Sequence, residues 1–201
     1  MNWCVAAILM AASAGLACGQ NGGSGPPAWQ PLDSAGRWHQ YLGDTWASPG
    51  FYAAALVTAA DSQLSHDPPE WRLGSAGFAE RTASWIGVFG IQETLHQAGA
   101  AAMGYDPRYL VCQCRGFFRR TGHALKWSLV TKNAAGETRP DIPIVAGAYG
   151  SGIVSTYWYP ARYRPLSDGV RAGNEQMVFV VAINVIKEFG PELKRAFRPG
   201  H

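Results

Sequence analysis

Charged side chains are scarce in this 201-residue sequence, where they make up 15% of the residues against roughly 25% in ordinary soluble domains. Aromatic residues are too frequent, at 12%, for a chain that stays disordered along most of its length. Glycine is abundant, with 24 copies. This composition indicates one domain rich in small residues, either globular or membrane-associated, with disorder confined to its ends.

Cysteine is also scarce, with four copies, and Cys4 and Cys18 fall in a segment that we expect to be removed. The remaining Cys112 and Cys114 stand in VCQCRG. One C-x-C pair cannot cross-link distant parts of a domain, so a framework of several disulfides is excluded. The pair forms either a local disulfide or two free thiols, with a redox role as a further alternative. The pair could supply two of the four ligands of a metal site, but the sequence offers no further Cys and no nearby His to complete it.

The common signatures of catalysis are missing. The sequence has no G-x-S-x-G, P-loop, H-E-x-x-H or dinucleotide-binding fingerprint. Nothing beyond basicity suggests nucleic-acid binding. We therefore assign no catalytic residue, cofactor or bound metal from the sequence, and we expect no nucleic-acid partner.

Residues 1–19 are predicted to be an export signal, although no Lys or Arg precedes the apolar run 5–14. That run is too short to span a bilayer. Ala17 and Gly19 stand at the −3 and −1 positions of a cleavage site. A lipidated Cys18, an uncleaved anchor and no export at all are the alternatives. The expected location is the periplasm or cell envelope, with membrane association left open.

The rest of the chain divides into a flexible Gly/Pro-rich segment, 20–47, and a helical domain, 48–198. Asn-Gly hairpin signals are missing between alternating runs, so we expect no β-structure. The fold class is predicted to be all-α, a compact bundle of four to five helices with packing seams of Gly, Ala and Ser. The predicted helices are 48–64, 75–104, 117–133, 144–159 and 171–189.

The segment IVAGAYGSGIVSTYWYP, residues 144–160, carries no charge and places Gly147, Ser151 and Ser155 four residues apart. Glycine inside a helix costs about 1 kcal/mol relative to alanine. Close approach of another element must offset that cost. The neighbour is a helix of the same domain, a membrane helix or a partner. Seventeen residues reach only about 25 Å as a helix, which is short for a membrane span.

Charge is divided unevenly along the chain. Residues 1–105 hold three basic and seven acidic side chains, whereas residues 106–201 hold fourteen and seven. An anionic partner for the second half, such as a membrane surface or a polyanion, is one explanation. The other is that the two halves neutralise each other where they meet.

The predicted helix 117–133 is amphipathic. Its basic face is our candidate for membrane or anion contact, with residues Arg115, Arg119, His123 and Lys126. The opposite face is expected to lie in the core, with residues Phe118, Gly122, Leu125 and Leu129. The alternative is a solvated basic face, or one paired with acidic groups such as Glu70 or Glu80.

Glu93 and His96 lie at positions i and i+3 in ETLH. This is half of the pattern that di-iron carboxylate bundles use in pairs, but the second E-x-x-H is missing. A metal-dependent enzyme or metal-binding bundle built on these residues, with His123 as a third candidate, is therefore only an alternative hypothesis. The other interpretation is a buried, hydrogen-bonded histidine.

Six short motifs occur in the order PPEW, GFAER, DPRY, GHALK, AGAYGSG and YWYP. Their order resembles that of a group of uncharacterised bacterial exported proteins, over roughly Pro68 to Phe197. The resemblance implies export and implies no activity. We therefore expect a non-enzymatic structural or interaction role in the envelope, with an anionic membrane surface or another envelope protein as partner. A membrane-embedded helical protein is the second alternative.

Overall fold

The computed structural model describes residues 29–196. The expected signal peptide 1–19 and the first part of the segment predicted to be flexible, 20–28, lie outside the described residues. The described chain is mostly helical, and it confirms the predicted compact helical bundle. Its elements are α1 (Ser34–Tyr41), α2 (Pro49–Leu64), α3 (Gly74–Met103), β1 (Tyr105–Asp106), α4 (Phe117–Trp127), β2 (Val130–Asn133), β3 (Thr138–Pro140), α5 (Ile142–Ser155) and α6 (Ser167–Ala196).

Residues 34–46 are helical, which corrects their assignment to the flexible segment. Asp33 caps α1 by accepting a hydrogen bond from the backbone N–H of Gly36 at 2.7 Å, and a π-helical turn, Leu42–Trp46, continues the helix. The Tyr41 hydroxyl lies 2.8 Å from the Thr94 hydroxyl on α3. These contacts anchor a segment whose composition alone suggested a linker.

Aromatic rings join helices α2, α3 and α6. Phe51 is buried on α2, and its ring centroid lies 5.1 Å from that of Phe89 on α3. Trp85 stacks on Phe89 at 5.2 Å and meets Phe179 of α6 edge-on at 5.4 Å. Tilted and edge-to-face pairs of this kind add to the burial energy of large apolar side chains.

Helix α5 lies between α3 and α6, and glycines make both contacts close. A Cβ on Gly147 would sit 2.7 Å from the carbonyl oxygen of Gln92 on α3. On the other side, a Cβ on Gly152 would meet the backbone of α6 at Gly169 and Gly173. The small residues therefore admit two helices of the same domain. Within residues 29–196, no helix combines the length and the apolar character needed to cross a membrane.

A small antiparallel sheet, in the order β1-β2-β3, corrects the expectation of no β-structure. Its hairpin has no Asn-Gly turn. Instead, the Asn133 side chain accepts a hydrogen bond from the backbone N–H of Glu137 at 2.9 Å, and Gly136 adopts a positive φ of 79°. Helix α4 consequently ends at Trp127, six residues before the predicted end at Asn133.

Helix α6 is longer than predicted, because it runs through Gly190 and Pro191 to Ala196. Proline removes one backbone hydrogen-bond donor from a helix, and the sequence analysis therefore ended this helix at residue 189, before Gly190 and Pro191. The Arg120 side chain of α4 bridges this point. Its guanidinium donates to the backbone carbonyl of Glu188 and, at 2.6 Å, to the carboxylate of Glu192.

Candidate functional site: the two faces of helix α4

Helix α4 turns its apolar stripe outward. Phe118 is 87% exposed, Leu125 is 49% exposed, and Leu129, just beyond the helix, is 54% exposed. Gly122 is also exposed, and a Cβ there would meet no neighbouring atom of the described residues within 4 Å. The expectation that these four residues face the core is therefore wrong. We call Phe118, Gly122, Leu125 and Leu129 the outer stripe.

Three of the four predicted contact residues, Arg115, Arg119 and Lys126, are exposed beside the outer stripe. Within the described part of the chain, none of them has an acidic partner within 4.0 Å. The proposed pairing with Glu70 does not form, because Glu70 pairs with Arg162 at 2.6 Å. On a helical wheel of 100° per residue, Arg119 and Lys126 lie along one edge of the stripe. This face of α4 is thus both apolar and cationic.

His123, the fourth predicted contact residue, lies on the opposite face. Its ring is half-buried and packs on Trp127 with 5.4 Å between centroids. Its Nδ1 lies 3.5 Å from Glu188 Oε2 on α6. Ala124, fully buried, and Arg120 share this inner face. His123 therefore belongs to an interior cluster rather than to the basic surface.

Glu188 is the centre of that cluster and is fully buried. The Tyr109 hydroxyl donates to its carboxylate at 2.5 Å. The backbone N–H of Cys112 lies 3.1 Å from both carboxylate oxygens. Arg120 Nε lies 3.5 Å away and supplies the positive charge. A buried carboxylate without such partners would be strongly destabilising, and the cluster explains why the polar side of α4 faces inward.

The surroundings of Glu188 fix the protonation of two neighbours. Burial, and then the hydrogen bond to Glu188, raise the pKa of Tyr109, so its hydroxyl stays a proton donor. The hydrogen bond to Glu192 raises the pKa of Arg120, whose guanidinium therefore stays charged. The same contact lowers the pKa of Glu192.

The loop that precedes α4 brings sulfur to this cluster. Cys112 and Cys114 are joined by a disulfide, with 5.2 Å between their Cα atoms. Of the two alternatives that the sequence left open, a local disulfide or two free thiols, the structure has the disulfide. Potential ligand atoms of Cys112, His123 and Glu188 all lie within 4.8 Å of one another, and within residues 29–196 no other such group occurs. The sequence expectation that no His lies close to the C-x-C pair is thus corrected by the fold.

Glu93 and His96 form a separate site between α3 and α5. Asp141, the N-cap of α5, lies 3.3 Å from His96 Nε2, and Glu93 lies 4.0 Å from Nδ1. Burial opposes protonation of His96, but the two carboxylates outweigh it and raise its pKa to about 9. The His96–Asp141 contact is an ion pair without good hydrogen-bond alignment. His123 contacts Glu188 instead of joining this pair.

An open groove of about 790 Å³ runs along the outer side of α3. Its walls are mainly apolar, and the rings of Trp46 and Trp158 lie against α3 at Gly90 and Gly87. Among the described residues that line the groove, the only charged side chain is that of the acidic residue Glu80.

Comparison of the chain with protein-family models, with curated proteins and with solved structures finds no match.

The sequence analysis did not identify Glu188, Tyr109 and Arg120 as members of a site. Glu188 lies 76 residues from Cys112 in the chain, so spacing could not connect them. Glu188 stands next to Lys187 at the end of the apolar run of α6, so no local signal distinguished it from an exposed carboxylate.

Proposed function

We propose that the protein is an exported, non-enzymatic component of the cell envelope that binds anionic membrane surfaces through the outer stripe of α4 and its flanking cations. The observation that carries this proposal is the exposure of Phe118 and Leu125 beside Arg119 and Lys126. Export rests on the sequence of residues 1–19 and on the resemblance described above.

The combination of chemistries supports a membrane rather than a soluble anion. A helix that lies in the interface buries an apolar face at the headgroup boundary and keeps basic residues near the lipid phosphates. Phe118 and Leu125 supply the apolar part. A soluble anion without apolar or aromatic groups, such as free phosphate, would use the cations but would gain nothing from an exposed Phe or Leu.

The charges contribute a salt-dependent attraction. Each basic residue near an anionic bilayer contributes about 1 kcal/mol, and the effect falls off within a Debye length of about 10 Å at 0.1 M salt. Arg115, Arg119 and Lys126 together give about 3 kcal/mol at low salt on this scale. We therefore expect weak association that the outer stripe strengthens.

Vesicle sedimentation tests the proposal. The protein should bind anionic vesicles at low salt, bind less at high salt, and bind neutral vesicles poorly. The double reversal Arg119→Glu/Lys126→Glu should weaken binding at least a hundredfold, because it removes two attractions of about 1 kcal/mol each and adds two repulsions.

A matched control is Arg72→Glu/Arg164→Glu, which makes the same change in net charge. Both residues are exposed, and they lie at the far end of the bundle, where Trp71 packs on Tyr159. The control should bind as the unchanged protein does. Equal losses in both variants would show an effect of net charge alone, and no binding at low salt would reject the membrane proposal.

Export has its own readout. The mature protein is expected to begin at Gln20, so N-terminal sequencing of protein recovered from cells should return Gln20. A sequence that begins at Met1, or a lipid on Cys18, would contradict cleavage at this site.

A further inference from the structure

We propose that reduction of the Cys112–Cys114 disulfide turns the Glu188 cluster into a binding site for a divalent transition metal such as Zn²⁺. Its ligands would be the Cys112 thiolate, a ring nitrogen of His123 and the Glu188 carboxylate, with the Cys114 thiolate as the fourth. The inference does not depend on the membrane proposal, because it concerns the inner face of α4.

The positions of the donor atoms carry this inference. In a tetrahedral zinc site with bonds of 2.0–2.3 Å, the ligand atoms lie roughly 3.3–3.8 Å apart. His123 Nδ1 and Glu188 Oε2 are already 3.5 Å apart. With the Cys112 sulfur, all three donor atoms lie within 4.8 Å. Shifts of about 1 Å would close the site.

The donor types suit zinc better than magnesium or calcium. Thiolate and imidazole ligands favour Zn²⁺ and related metals, whereas Mg²⁺ and Ca²⁺ prefer all-oxygen sites. The surrounding groups also fit a metal centre. Tyr109 donates to the Glu188 carboxylate and would orient it. Arg120 would offset the net negative charge of two thiolates and a carboxylate around one divalent ion.

The disulfide acts as the gate, because a sulfur bonded to another sulfur is a poor metal ligand. A dithiol reductant opens it by exchange: one of its thiolates attacks a sulfur of the Cys112–Cys114 bond, which forms a mixed disulfide and releases the other cysteine as a thiolate. The second thiolate of the reductant then attacks the reductant's own sulfur in the mixed disulfide, closes the reductant's disulfide and releases the remaining cysteine. Cys112 and Cys114 become thiols, and the reductant becomes a disulfide. Zn²⁺ then replaces the two thiol protons, which leave to solvent, and no electron passes to the metal.

The loop around the disulfide is open to a reductant. Val111 is 50% exposed, and Gln113 and Arg115 are exposed as well. Cys112 and Cys114 themselves are half-buried. Reduction would therefore leave the helical packing in place while freeing two ligands next to His123 and Glu188.

The test is competition for Zn²⁺ against a chromophoric chelator, with the reduced and the oxidised protein compared. The full chain is used throughout with Cys4→Ser and Cys18→Ser, so that these thiols contribute nothing. We expect the reduced protein to bind one Zn²⁺ at least a hundredfold more tightly than the oxidised protein. Equal zinc affinity in the two states would overturn the inference.

Ligand variants locate the site. Cys112→Ser and His123→Asn should each weaken zinc binding by the reduced protein at least tenfold. The matched controls are His39→Asn, at an exposed histidine of α1, and Glu80→Gln, at an exposed carboxylate of α3. Both controls should keep the affinity of the parent. If Cys112→Ser and His123→Asn also keep it, the metal lies elsewhere and the assignment is wrong.

Discussion

His96 is a buried residue whose charge depends on the fold. Its side chain faces Asp141 on one side and Glu93 on the other, and its pKa is raised from 6.5 to about 9. A pKa raised by folding means that the protonated form is stabilised in the native state. The contribution is therefore complete below pH 6.5 and is lost as the pH rises to about 9.

The size of this effect is on the order of 3 kcal/mol, since one pKa unit corresponds to about 1.36 kcal/mol. We predict that the free energy of unfolding in urea falls by that order between pH 6 and pH 9.5. His96→Asn should remove most of this fall, whereas His39→Asn, at an exposed position, should leave it unchanged. An identical pH profile in His96→Asn would show that the ion pair with Asp141 does not stabilise the fold.

Helix α5 depends on glycine at the points where other helices touch it. A Cβ at position 152 would collide with the carbonyl oxygen of Gly169 and lie 2.7 Å from the N atom of Gly173, and both are backbone atoms. At position 150 the only neighbour within 4 Å among the described residues is Leu95 Cδ1, at 3.0 Å. Leu95 is 43% exposed and can move aside.

We therefore predict that Gly152→Ala destabilises the protein by about 1–3 kcal/mol or more through overpacking. Gly150→Ala should have a much smaller effect. Gly122→Ala is the control, because its Cβ meets no neighbouring atom of the described residues and alanine favours a helix by up to about 1 kcal/mol. Urea unfolding measures the free energy of unfolding of the three variants and so ranks their stability. A Gly152→Ala variant as stable as Gly122→Ala would contradict the packing of α5 on α6.

Helix α4 shows what a pattern can and cannot predict. Its amphipathic period predicted a helix starting at Phe117, as observed. The pattern did not reveal which side faces inward, since the outer stripe looked like a core face. The deciding partner is Glu188, which draws Arg120 and His123 inward from 68 and 65 positions away in the chain. Such long-range pairing leaves no local signal.

Other elements were predictable because local signals and packing agree. Helix α3 spans Gly74–Met103, one residue from the predicted 75–104, and a glycine with positive φ at 104 ends it. Helix α2 begins at Pro49, with Ser48 as its N-cap, one residue from the predicted start at 48. The small sheet escaped prediction because its hairpin turn is closed by the Asn133 side chain and not by an Asn-Gly pair. The run of α6 through Pro191 escaped prediction because Arg120, which contacts Glu188 and Glu192 there, is distant in the sequence.

Across the whole molecule, the two halves neutralise each other only in part. Glu70 of the acidic half pairs with Arg162 of the basic half at 2.6 Å, and Asp67 lies 3.9 Å from the same guanidinium. The cations beside the outer stripe take no part in this contact. Part of the positive charge that remains available therefore lies where the surface is also apolar, and this combination is the basis of the membrane proposal.

Binding of Phe118→Ser/Leu125→Ser to anionic vesicles tests the central claim most directly. Burial of one such side chain contributes about 1.5–3 kcal/mol, so the double variant should bind at least tenfold more weakly, although all its cations remain. Its free energy of unfolding should stay within about 0.5 kcal/mol of the parent, because both side chains are exposed. Unchanged vesicle binding would contradict a role for the outer stripe, and a loss of several kcal/mol in stability would show that the stripe belongs to the core.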